Sequence, residues 1–457
     1  MSLFAPTAKY VAPPTPFGGF IDGRPAVTAP HLLVSGPSGV GKSRRVLGPG
    51  ILMWGGPVVA VSSKPDLIDL CLEQRLAWGG HGRTFVLDLS GEVPDEVLPD
   101  GVTKVRVDPT ALIASDDDAL DLATVLMQSG AAGAGGGKGG GGGDPFWENI
   151  SVAPLAALLR ATGSRGIAWT RDAVSRVDAR RDEAGVIIDE DEPSWDVAID
   201  VLQDMGSDML ARELESAMKL DGKMRDSIGV TMKSAVAPWL RSTVAGDERT
   251  PAFTPRMLEH PKATLFMVAP ATGIAAGAAV AAVDFISKRW RANQTEPIKL
   301  PRLLFVVDEL CNTLPWPKLP TVVTESRAMG IHLLCAVQAT SQFAKRYGTD
   351  GMAELREVFP AVLLLVGAPE KEMLEKAAWW LGHSERQKVS TDHLGRQSQS
   401  AEKAETFSAT DLLPRNKGEG RLLRGSRPGS DVDGINEAGL LVTLVDISQI
   451  TFNAKAA

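Results

Sequence analysis

The chain has 457 residues, of which 44% are hydrophobic and 23% are charged, and its formal net charge at pH 7 is −8. This length allows two or three domains, and the composition is that of an ordinary globular protein with ample material for a core. The acidic balance excludes a protein coated in basic surface, although a basic channel inside an acidic shell would still accommodate nucleic acid.

Cysteine usage and hydropathy point to a cytoplasmic chain. Cys71, Cys311 and Cys335 occur singly in apolar contexts, which predicts buried reduced thiols rather than disulfides or a metal site. No transmembrane helix is expected, because the most apolar segment, 273–286, is shorter than the roughly 20 residues needed and contains Asp284. A buried helix fits this segment better. The N-terminus has neither the basic start nor the apolar centre of a signal peptide.

The first conspicuous pattern follows a stretch rich in proline and glycine, residues 1–30, which we interpret as an extended arm. Segment 31–45, HLLVSGPSGVGKSRR, begins with a short apolar strand and continues through a glycine-rich turn into a helix start. The turn fills the pattern G-x-x-x-x-G-K-[ST], which is typical of loops that bind nucleotide phosphates. The alternative is a glycine-rich turn that binds nothing; the flanking strand and helix favour the phosphate loop.

Each residue type in this loop has a physical reason to be there. Glycine at positions 36, 39 and 41 would let the backbone adopt positive φ and direct its N–H groups at an anion. Lys42 would reach the β- and γ-phosphates, and the Ser43 hydroxyl would bind Mg²⁺. The predicted nucleotide-binding residues are Gly36, Pro37, Ser38, Gly39, Val40, Gly41, Lys42, Ser43 and Arg44.

Apolar runs alternate with helical patterns on both sides of a long central region. They predict strands at 57–62, 84–89, 264–268, 302–309, 331–337, 361–366 and 440–447. This alternation predicts an α/β fold with a doubly wound parallel sheet. The polar segment 384–408 is interpreted as a loop or a surface hairpin.

The central region differs from its surroundings. A helix at about 117–127 leads into the tract 130–143, which consists of glycine, alanine and Lys138 and cannot pack a core. We interpret the tract as a loop that is either a passive linker or a grip on substrate. Helical spacing at 146–249 predicts an inserted all-α domain, so that the α/β domain comprises 31–145 and 250–457.

A pair of carboxylates, Asp308 and Glu309, directly follows the apolar strand that ends at position 307. A parallel strand would deliver them to the carboxyl edge of the sheet, where the phosphate loop also opens. Asp308 would then hold Mg²⁺, directly or through water, and Glu309 would act as general base on the attacking water. Such a pair is common at strand ends, but together with Lys42 and Ser43 it predicts a P-loop ATPase.

Two further residues are candidates by position. Gln338 follows the next strand, so it is predicted near the γ-phosphate, where an amide orients water or reports hydrolysis; the alternative is a capped strand end. Arg327 lies near the end of the intervening helix, from which it would project at the nucleotide of a neighbouring subunit; the alternative is a surface arginine.

Four stretches, GPSGVGKS, ILMWGGPVVAVSSKPDLIDL, DPFWENISVAPLAALL and the run from LLFVVDELC to AKRYG, resemble the coupling ATPases of type IV secretion and conjugation. These TraG/TraD-like proteins belong to the RecA-fold DNA pumps, and the resemblance extends from about Leu32 to at least Gly382. It implies a RecA-like domain that uses ATP and Mg²⁺, and a homo-hexamer with a nucleotide at each subunit boundary. The implied cargo is single-stranded DNA with its relaxase, or protein.

The resemblance assigns the family's phosphate, metal, base, arginine and sensor positions to Lys42, Ser43, Asp308, Glu309, Arg327 and Gln338. One departure is the sequence SKPD at 63–66, where the family commonly has D-P-K-G, which is expected to remove a carboxylate from the vicinity of the site. The other is the missing membrane anchor, so that docking at the inner face of the membrane would need a channel or anchor protein as partner.

Three functions are compatible with these residues. The leading hypothesis is an ATP-driven motor that recruits and moves DNA, relaxase-bound DNA or protein to a secretion channel. One alternative is an FtsK-like translocase of double-stranded DNA. The other is an adaptor that binds nucleotide in order to assemble and moves nothing.

Overall fold

A twelve-stranded sheet runs through the computed structural model, which describes residues 15–133, 145–247, 249–270, 275–295, 299–391, 397–424 and 439–450. Its strands are β1 (Phe20–Ile21), β2 (Arg24–Pro25), β3 (His31–Ser35), β4 (Val58–Ser62), β5 (Thr84–Asp88), β6 (Val102–Val105), β7 (Thr264–Val268), β8 (Leu303–Val307), β9 (Ile331–Val337), β10 (Ala361–Leu365), β13 (Glu419–Arg424) and β14 (Gly439–Thr443). A separate hairpin consists of β11 (His383–Thr391) and β12 (Gln397–Glu405).

The order across the sheet is β2-β1-β14-β13-β10-β3-β9-β8-β4-β7-β5-β6. The eight strands from β10 to β6 are parallel, so their carboxyl ends share one edge. β3 lies between β10 and β9, and β9 separates it from β8. The segments that follow β3, β8, β9 and β10 therefore meet at the carboxyl edge, as predicted for the phosphate loop and the carboxylate pair.

Helices cover both faces of this sheet, which explains why its strands are continuous apolar runs. They are α1 (Gly48–Met53), α2 (Asp66–Gly79), α3 (Asp116–Gly133), α4 (Pro145–Ala161), α5 (Ile167–Ala173), α6 (Trp195–Asp204), α7 (Asp208–Met218), α8 (Gly222–Val236), α9 (Ser242–Ala245), α10 (Ala276–Ala292), α11 (Leu310–Thr313), α12 (Leu319–Glu325), α13 (Ala344–Val358) and α14 (Lys371–Leu381). On β3, Leu32 and Val34 face α1 and α2, whereas Leu33 faces the core shared with the helical region.

The helical region α4–α9 packs on α3 and α10 and shares one hydrophobic core with them. Trp239 lies at the centre of this contact, fully buried, and its indole N–H donates to the carbonyl of Val107, 3.0 Å away. α3 precedes the predicted domain boundary at 146 and is nevertheless continuous in packing with α4 and α8. The division at 146 and 249 stays a prediction.

The antiparallel edge of the sheet is built from both ends of the described chain. β1 pairs with β14, and β14 pairs with β13, which closes on β10. Residues 15–30, predicted as part of an extended arm, thus contribute β1 and β2 to the sheet, and Phe17 and Phe20 are buried. Residues 1–14 of the predicted arm lie outside the described residues.

The α/β prediction is confirmed, and β7 and β9 have the predicted bounds. β6 and β13 were not predicted, and the polar segment 384–408 forms most of the β11–β12 hairpin. Of segment 273–286, residues 273 and 274 lie outside the described residues, and 276–286 form the first part of α10, whose buried Asp284 accepts a hydrogen bond from Lys318 Nζ at 3.0 Å. Most of the glycine tract, 134–143, lies outside the described residues, as does residue 144.

The cysteine prediction is also confirmed, because all three thiols are buried and unpaired. In the part of the chain that the structure describes, no helix is both long and apolar enough to cross a membrane.

Arg75, on α2, is a buried cation next to the sheet, with 2% of its surface exposed. Its guanidinium donates to Thr264 Oγ1 at 2.7 Å and to backbone carbonyls at 51, 54, 56 and 263, at 3.1 to 3.4 Å. Burial lowers the pKa of Arg75 to about 9, so it stays charged at pH 7. The side chain joins the turn before β4 to the start of β7.

We expect Arg75→Met to lower the free energy of unfolding by about 2–4 kcal/mol, because several buried carbonyls lose their donor. Urea unfolding followed by circular dichroism measures the change. The control is Arg212→Met, an exposed arginine on α7, for which the expected change is within about 0.5 kcal/mol. Equal effects of the two substitutions would contradict the role of Arg75.

Candidate functional site

The glycine-rich loop follows β3 at the carboxyl edge of the sheet. Gly39 and Gly41 have positive φ, 77° and 99°, as predicted. Gly36 does not, so the prediction is wrong there; glycine is needed for space, because a Cβ at this position would lie 2.9 Å from Leu365 Cβ. Ser38 and Gly39 are exposed at the tip of the loop. The loop therefore presents backbone to solvent, as an anion-binding loop requires.

Lys42 closes the loop and is almost fully buried, with 8% of its surface exposed. Its ammonium donates to the carbonyls of Gly36 and Pro37, at 2.7 and 3.1 Å. Burial lowers the pKa of Lys42, and the negative charges of Asp308 and Glu309 oppose this shift. A π-helical turn, Ser43–Leu47, follows and continues into α1. The lysine thus lies between the loop backbone and the carboxylate pair.

Ser43 and Asp308 are in contact at the carboxyl edge of the sheet, although they are 265 residues apart in the chain. The Ser43 hydroxyl donates to Asp308 Oδ2 at 3.0 Å. The pKa of Asp308 is raised to about 6: burial raises it most, the charges of Asp66 and Glu309 also raise it, and Ser43 and Lys42 partly counteract them. The second carboxylate oxygen, Oδ1, is buried and has no hydrogen-bond partner among the described residues.

These oxygens fit a divalent cation. The Ser43 hydroxyl and the Asp308 carboxylate are hard oxygen ligands of the kind that Mg²⁺ prefers, and Mg²⁺ usually takes only one or two protein ligands and keeps several waters. An unpartnered buried carboxylate oxygen is costly, and a cation or its water would satisfy Asp308 Oδ1. Ser43 and Asp308 are therefore the residues of this site that would hold the metal.

Glu309 and Gln338 are joined by a hydrogen bond. Gln338 follows β9, and its side-chain amide donates to Glu309 Oε1 at 3.2 Å. Glu309 has a left-handed backbone, with φ 51° and ψ 50°, which costs a non-glycine residue on the order of 1–3 kcal/mol. Such strain persists only where the surroundings impose it. Here the left-handed turn ends β8 and begins α11, so that the Glu309 carboxylate reaches Gln338.

Asp66 adds a carboxylate to the vicinity of the site. The SKPD segment was expected to leave the vicinity of the site with one carboxylate fewer, and this expectation is wrong. Asp66 begins α2, accepts a hydrogen bond from Ser62 Oγ at 2.7 Å and raises the pKa of Asp308 by its charge. β4 lies beside β8, so a carboxylate at the start of α2 comes near the residue that follows β8. Lys64 is exposed.

Arg44, predicted among the nucleotide-binding residues, directs its side chain elsewhere. The guanidinium forms a bidentate ion pair with the carboxylate of Asp446, with N–O distances of 2.9 and 2.7 Å. The hydrogen bond from Arg44 holds the pKa of Asp446 well below its usual range. Any contact of Arg44 with a phosphate in this arrangement would be made by its backbone N–H.

Arg327 is not brought to the phosphate loop. It is exposed in the turn between α12 and β9, at the opposite, amino-terminal edge of the sheet. His31 is the first residue of β3, and His332 is the second residue of β9. Burial lowers the pKa of both histidines, and the positive charge of Arg327 contributes to both shifts. Within one chain the structure thus assembles Lys42 and Ser43 with the residues that follow β8 and β9, and leaves Arg327 on the surface.

Comparison with known proteins gives one family model and several solved structures. Residues 302–417 match the model described as the TraM recognition site of TraD and TraG. No curated protein sequence matches the chain.

Three of the similar structures are of TrwB. The bacterial conjugative coupling protein TrwBdeltaN70 in complex with sulphate is 17% identical, with a TM-score of 0.61, covering 99% of this chain and 92% of that chain. The plasmid coupling protein TrwB in complex with a non-hydrolysable ATP analogue is 16% identical, with a TM-score of 0.62 and the same coverage. A third, TrwB in complex with ADP and Mg²⁺, is 17% identical, with a TM-score of 0.59, covering 98% and 92%.

These matches confirm the resemblance predicted from the sequence. The family model covers the region that carries Asp308, Glu309, Arg327 and Gln338. The structures share the fold over almost the entire chain, including the helical region. At this level of identity they establish the fold, and the roles of the individual site residues stay predictions.

We expect Asp308→Asn to make the protein more stable at pH 8, by up to about 3 kcal/mol, because the folded state penalises the charged carboxylate. Since the folded pKa of about 6 exceeds the ordinary value of 3.8, the penalty is complete above pH 6 and fades as the pH falls toward 4. Urea unfolding at pH 8 and pH 4.5 measures the difference.

The control for this substitution is Asp204→Asn, which changes an exposed aspartate at the end of α6. Its effect on stability is expected to be within about 0.5 kcal/mol at both pH values. A gain for Asp308→Asn that is absent, or equal at the two pH values, would contradict the electrostatic penalty at this site.

Proposed function

We propose that the chain is a coupling ATPase that hydrolyses ATP and uses the energy to recruit and move DNA, relaxase-bound DNA or protein to a type IV secretion or conjugation channel. The observation that carries the proposal is the contact of Ser43 with Asp308, beside Lys42 and the joined Glu309 and Gln338. It unites the two halves of a hydrolytic P-loop site in a chain with the fold of a conjugative coupling protein.

In the proposed reaction, the loop backbone and Lys42 bind the β- and γ-phosphates. Ser43 and Asp308 would hold Mg²⁺, which would supply positive charge to the phosphate oxygens. Glu309 accepts a proton from a water whose oxygen attacks the γ-phosphorus, and the bond to the bridging oxygen breaks so that ADP leaves. The amide of Gln338 orients Glu309.

The choice of nucleotide and metal is supported by the TrwB structures. One is a complex with ADP and Mg²⁺, and another is a complex with a non-hydrolysable ATP analogue. This chain matches both over at least 98% of its length. We therefore propose ATP and Mg²⁺ as the cofactors.

The cargo and partners are proposed from the same proteins. TrwB is described as a conjugative and as a plasmid coupling protein, and the family model is named for TraM recognition by TraD and TraG. We propose DNA with its relaxase as cargo and a channel or anchor protein as the partner that would bring the chain to the inner face of the membrane. A homo-hexamer would allow the exposed Arg327 of one subunit to face the nucleotide of the next.

The test is ATP turnover across a range of protein concentrations, without DNA and with single-stranded or duplex DNA. The proposal is supported if ATP turnover per subunit rises with protein concentration and is stimulated most by single-stranded DNA. A response to duplex DNA alone would instead indicate a double-stranded DNA translocase. Nucleotide binding without turnover would indicate an adaptor, and either of these two results would overturn the proposal.

Glu309→Gln is expected to lower kcat by about 100-fold or more while ATP binding stays within about threefold, because the amide cannot accept the proton from water. Turnover and the affinity for a fluorescent ATP analogue are measured together. Glu354→Gln, on the exposed side of α13, is the matched control with unchanged turnover. Undiminished turnover in Glu309→Gln would show that the general base is another group.

Arg327→Ala is expected to abolish the concentration-dependent part of ATP turnover, since the proposed contact is made between subunits. Nucleotide affinity of the dilute chain should not change, because Arg327 lies at the other edge of the sheet from its own phosphate loop. Arg212→Ala, which removes an exposed arginine of α7, serves as control. If Arg327→Ala kept full turnover at high protein concentration, Arg327 would not be the arginine that acts on the nucleotide of the neighbouring subunit.

A further inference from the structure

Glu370 is a buried carboxylate for which the proposed reaction so far has no role. It lies in the turn between β10 and α14, with 3% of its surface exposed. Burying a carboxylate is costly unless hydrogen bonds and an opposite charge compensate for the lost water. The contacts of Glu370 therefore indicate what the residue holds in place.

Three hydrogen bonds converge on this carboxylate from two loops of the site. Ser35 Oγ and the backbone N–H of Thr340 both donate to Oε1, each at 2.7 Å, and Thr340 Oγ1 donates to Oε2 at 2.6 Å. Ser35 is the last residue of β3 and directly precedes the phosphate loop. Thr340 lies two residues after Gln338. One side chain thus joins the base of the phosphate loop to the segment that carries Gln338.

Packing of the β10–α14 turn reinforces this connection. A Cβ on Gly367 would lie 3.3 Å from Pro37 Cγ, so the turn runs directly along the phosphate loop. Gly367 has a φ of 77°, a conformation that suits glycine and lets the turn keep this course. The turn therefore packs against the phosphate loop and brings Glu370 to Ser35, at the base of that loop.

Arg356, on α13, supplies the opposite charge. Its guanidinium lies 3.9 Å from Glu370 Oε2, donates to Thr340 Oγ1 at 2.8 Å and pairs with Glu372 at 2.7 Å. Glu372 is mostly exposed, whereas Glu370 is enclosed. The network thus contains one buried carboxylate with a specific set of donors and one exposed carboxylate that pairs with the arginine.

We propose that Glu370 is a positioning residue that fixes the phosphate loop and the Gln338 segment relative to each other. The inference rests on the proposed function: hydrolysis requires the γ-phosphate, held by one loop, and the general base Glu309, oriented by Gln338 of the other, to be aligned within a fraction of an ångström. Glu370 is enclosed, with 3% of its surface exposed, and acts by holding the two loops at a fixed distance.

The test compares wild type with Glu370→Gln, which keeps the size of the side chain and removes its charge and acceptor capacity. With Mg²⁺ present, the affinities for ADP and for a non-hydrolysable ATP analogue are measured along with kcat. ADP affinity should stay within about twofold, because the phosphate loop alone binds it. The preference for the analogue over ADP should fall about fivefold or more, and kcat about 10- to 100-fold.

Two milder substitutions keep the test valid if Glu370→Gln fails to fold. Ser35→Ala and Thr340→Val each remove side-chain donors from one side of the link, and each should lower kcat. Ser35→Ala already releases the phosphate loop from Glu370, whereas Thr340→Val weakens the other side and keeps the backbone N–H bond, so the double variant should lose little more than Ser35→Ala alone. Additive losses would indicate two independent local roles and overturn the proposal.

Glu372→Gln is the matched control, because it lies two residues away and shares Arg356. It should leave the nucleotide preference and kcat unchanged. A Glu370→Gln variant that melts earlier but has the wild-type preference and kcat would assign Glu370 a structural role only. If the wild-type protein bound no nucleotide, the proposed function itself would be overturned. If the wild type bound and hydrolysed ATP and Glu370→Gln had the same nucleotide preference and kcat, only the role of Glu370 would be overturned.

Discussion

The hydrogen bond between Ser43 and Asp308 is the constraint on which the site depends. It exists because β3, β9 and β8 are adjacent and parallel, so that segments far apart in the chain end at the same edge of the sheet. The helical region between the two residues adds length without disturbing this adjacency, since it packs on α3 and α10 at one face of the sheet. A long insertion is tolerated when its ends return to neighbouring strands.

The groups of the site are held close together at an electrostatic cost. Lys42 is buried next to Asp308 and Glu309, and Asp66 adds a further negative charge. Burial, together with three carboxylates that one lysine does not balance, makes Asp308 bind protons more strongly than an exposed aspartate would. A cation would relieve this excess of negative charge, and a polyphosphate would then have a positive partner. The strained backbone of Glu309 adds a second cost that the surrounding strands sustain.

Local sequence patterns predicted the parts of the site that depend on nearest neighbours along the chain. The apolar runs predicted β7 and β9, and the glycine pattern predicted the turn after β3. The rest depends on contacts between distant segments. Nothing near Glu309 in sequence requires a left-handed residue, and the proximity of Asp66 to Asp308 follows only from the order of β4 and β8. Glu370 occurs in an ordinary polar turn, and only the adjacency of β10 and β3 brings it to Ser35.

The ion pair of Arg44 with Asp446 links the phosphate-loop helix to the last described segment of the chain. Arg45 adds a bond to the carbonyl of Leu444, at 3.0 Å, and β14 in turn pairs with β1. The two ends of the described chain therefore brace the helix that follows the phosphate loop. A shortened version of the protein, designed for crystallisation or for fusion to a tag, should retain the chain from Thr15 to Ile450, because trimming within those limits would loosen the phosphate loop from a distance.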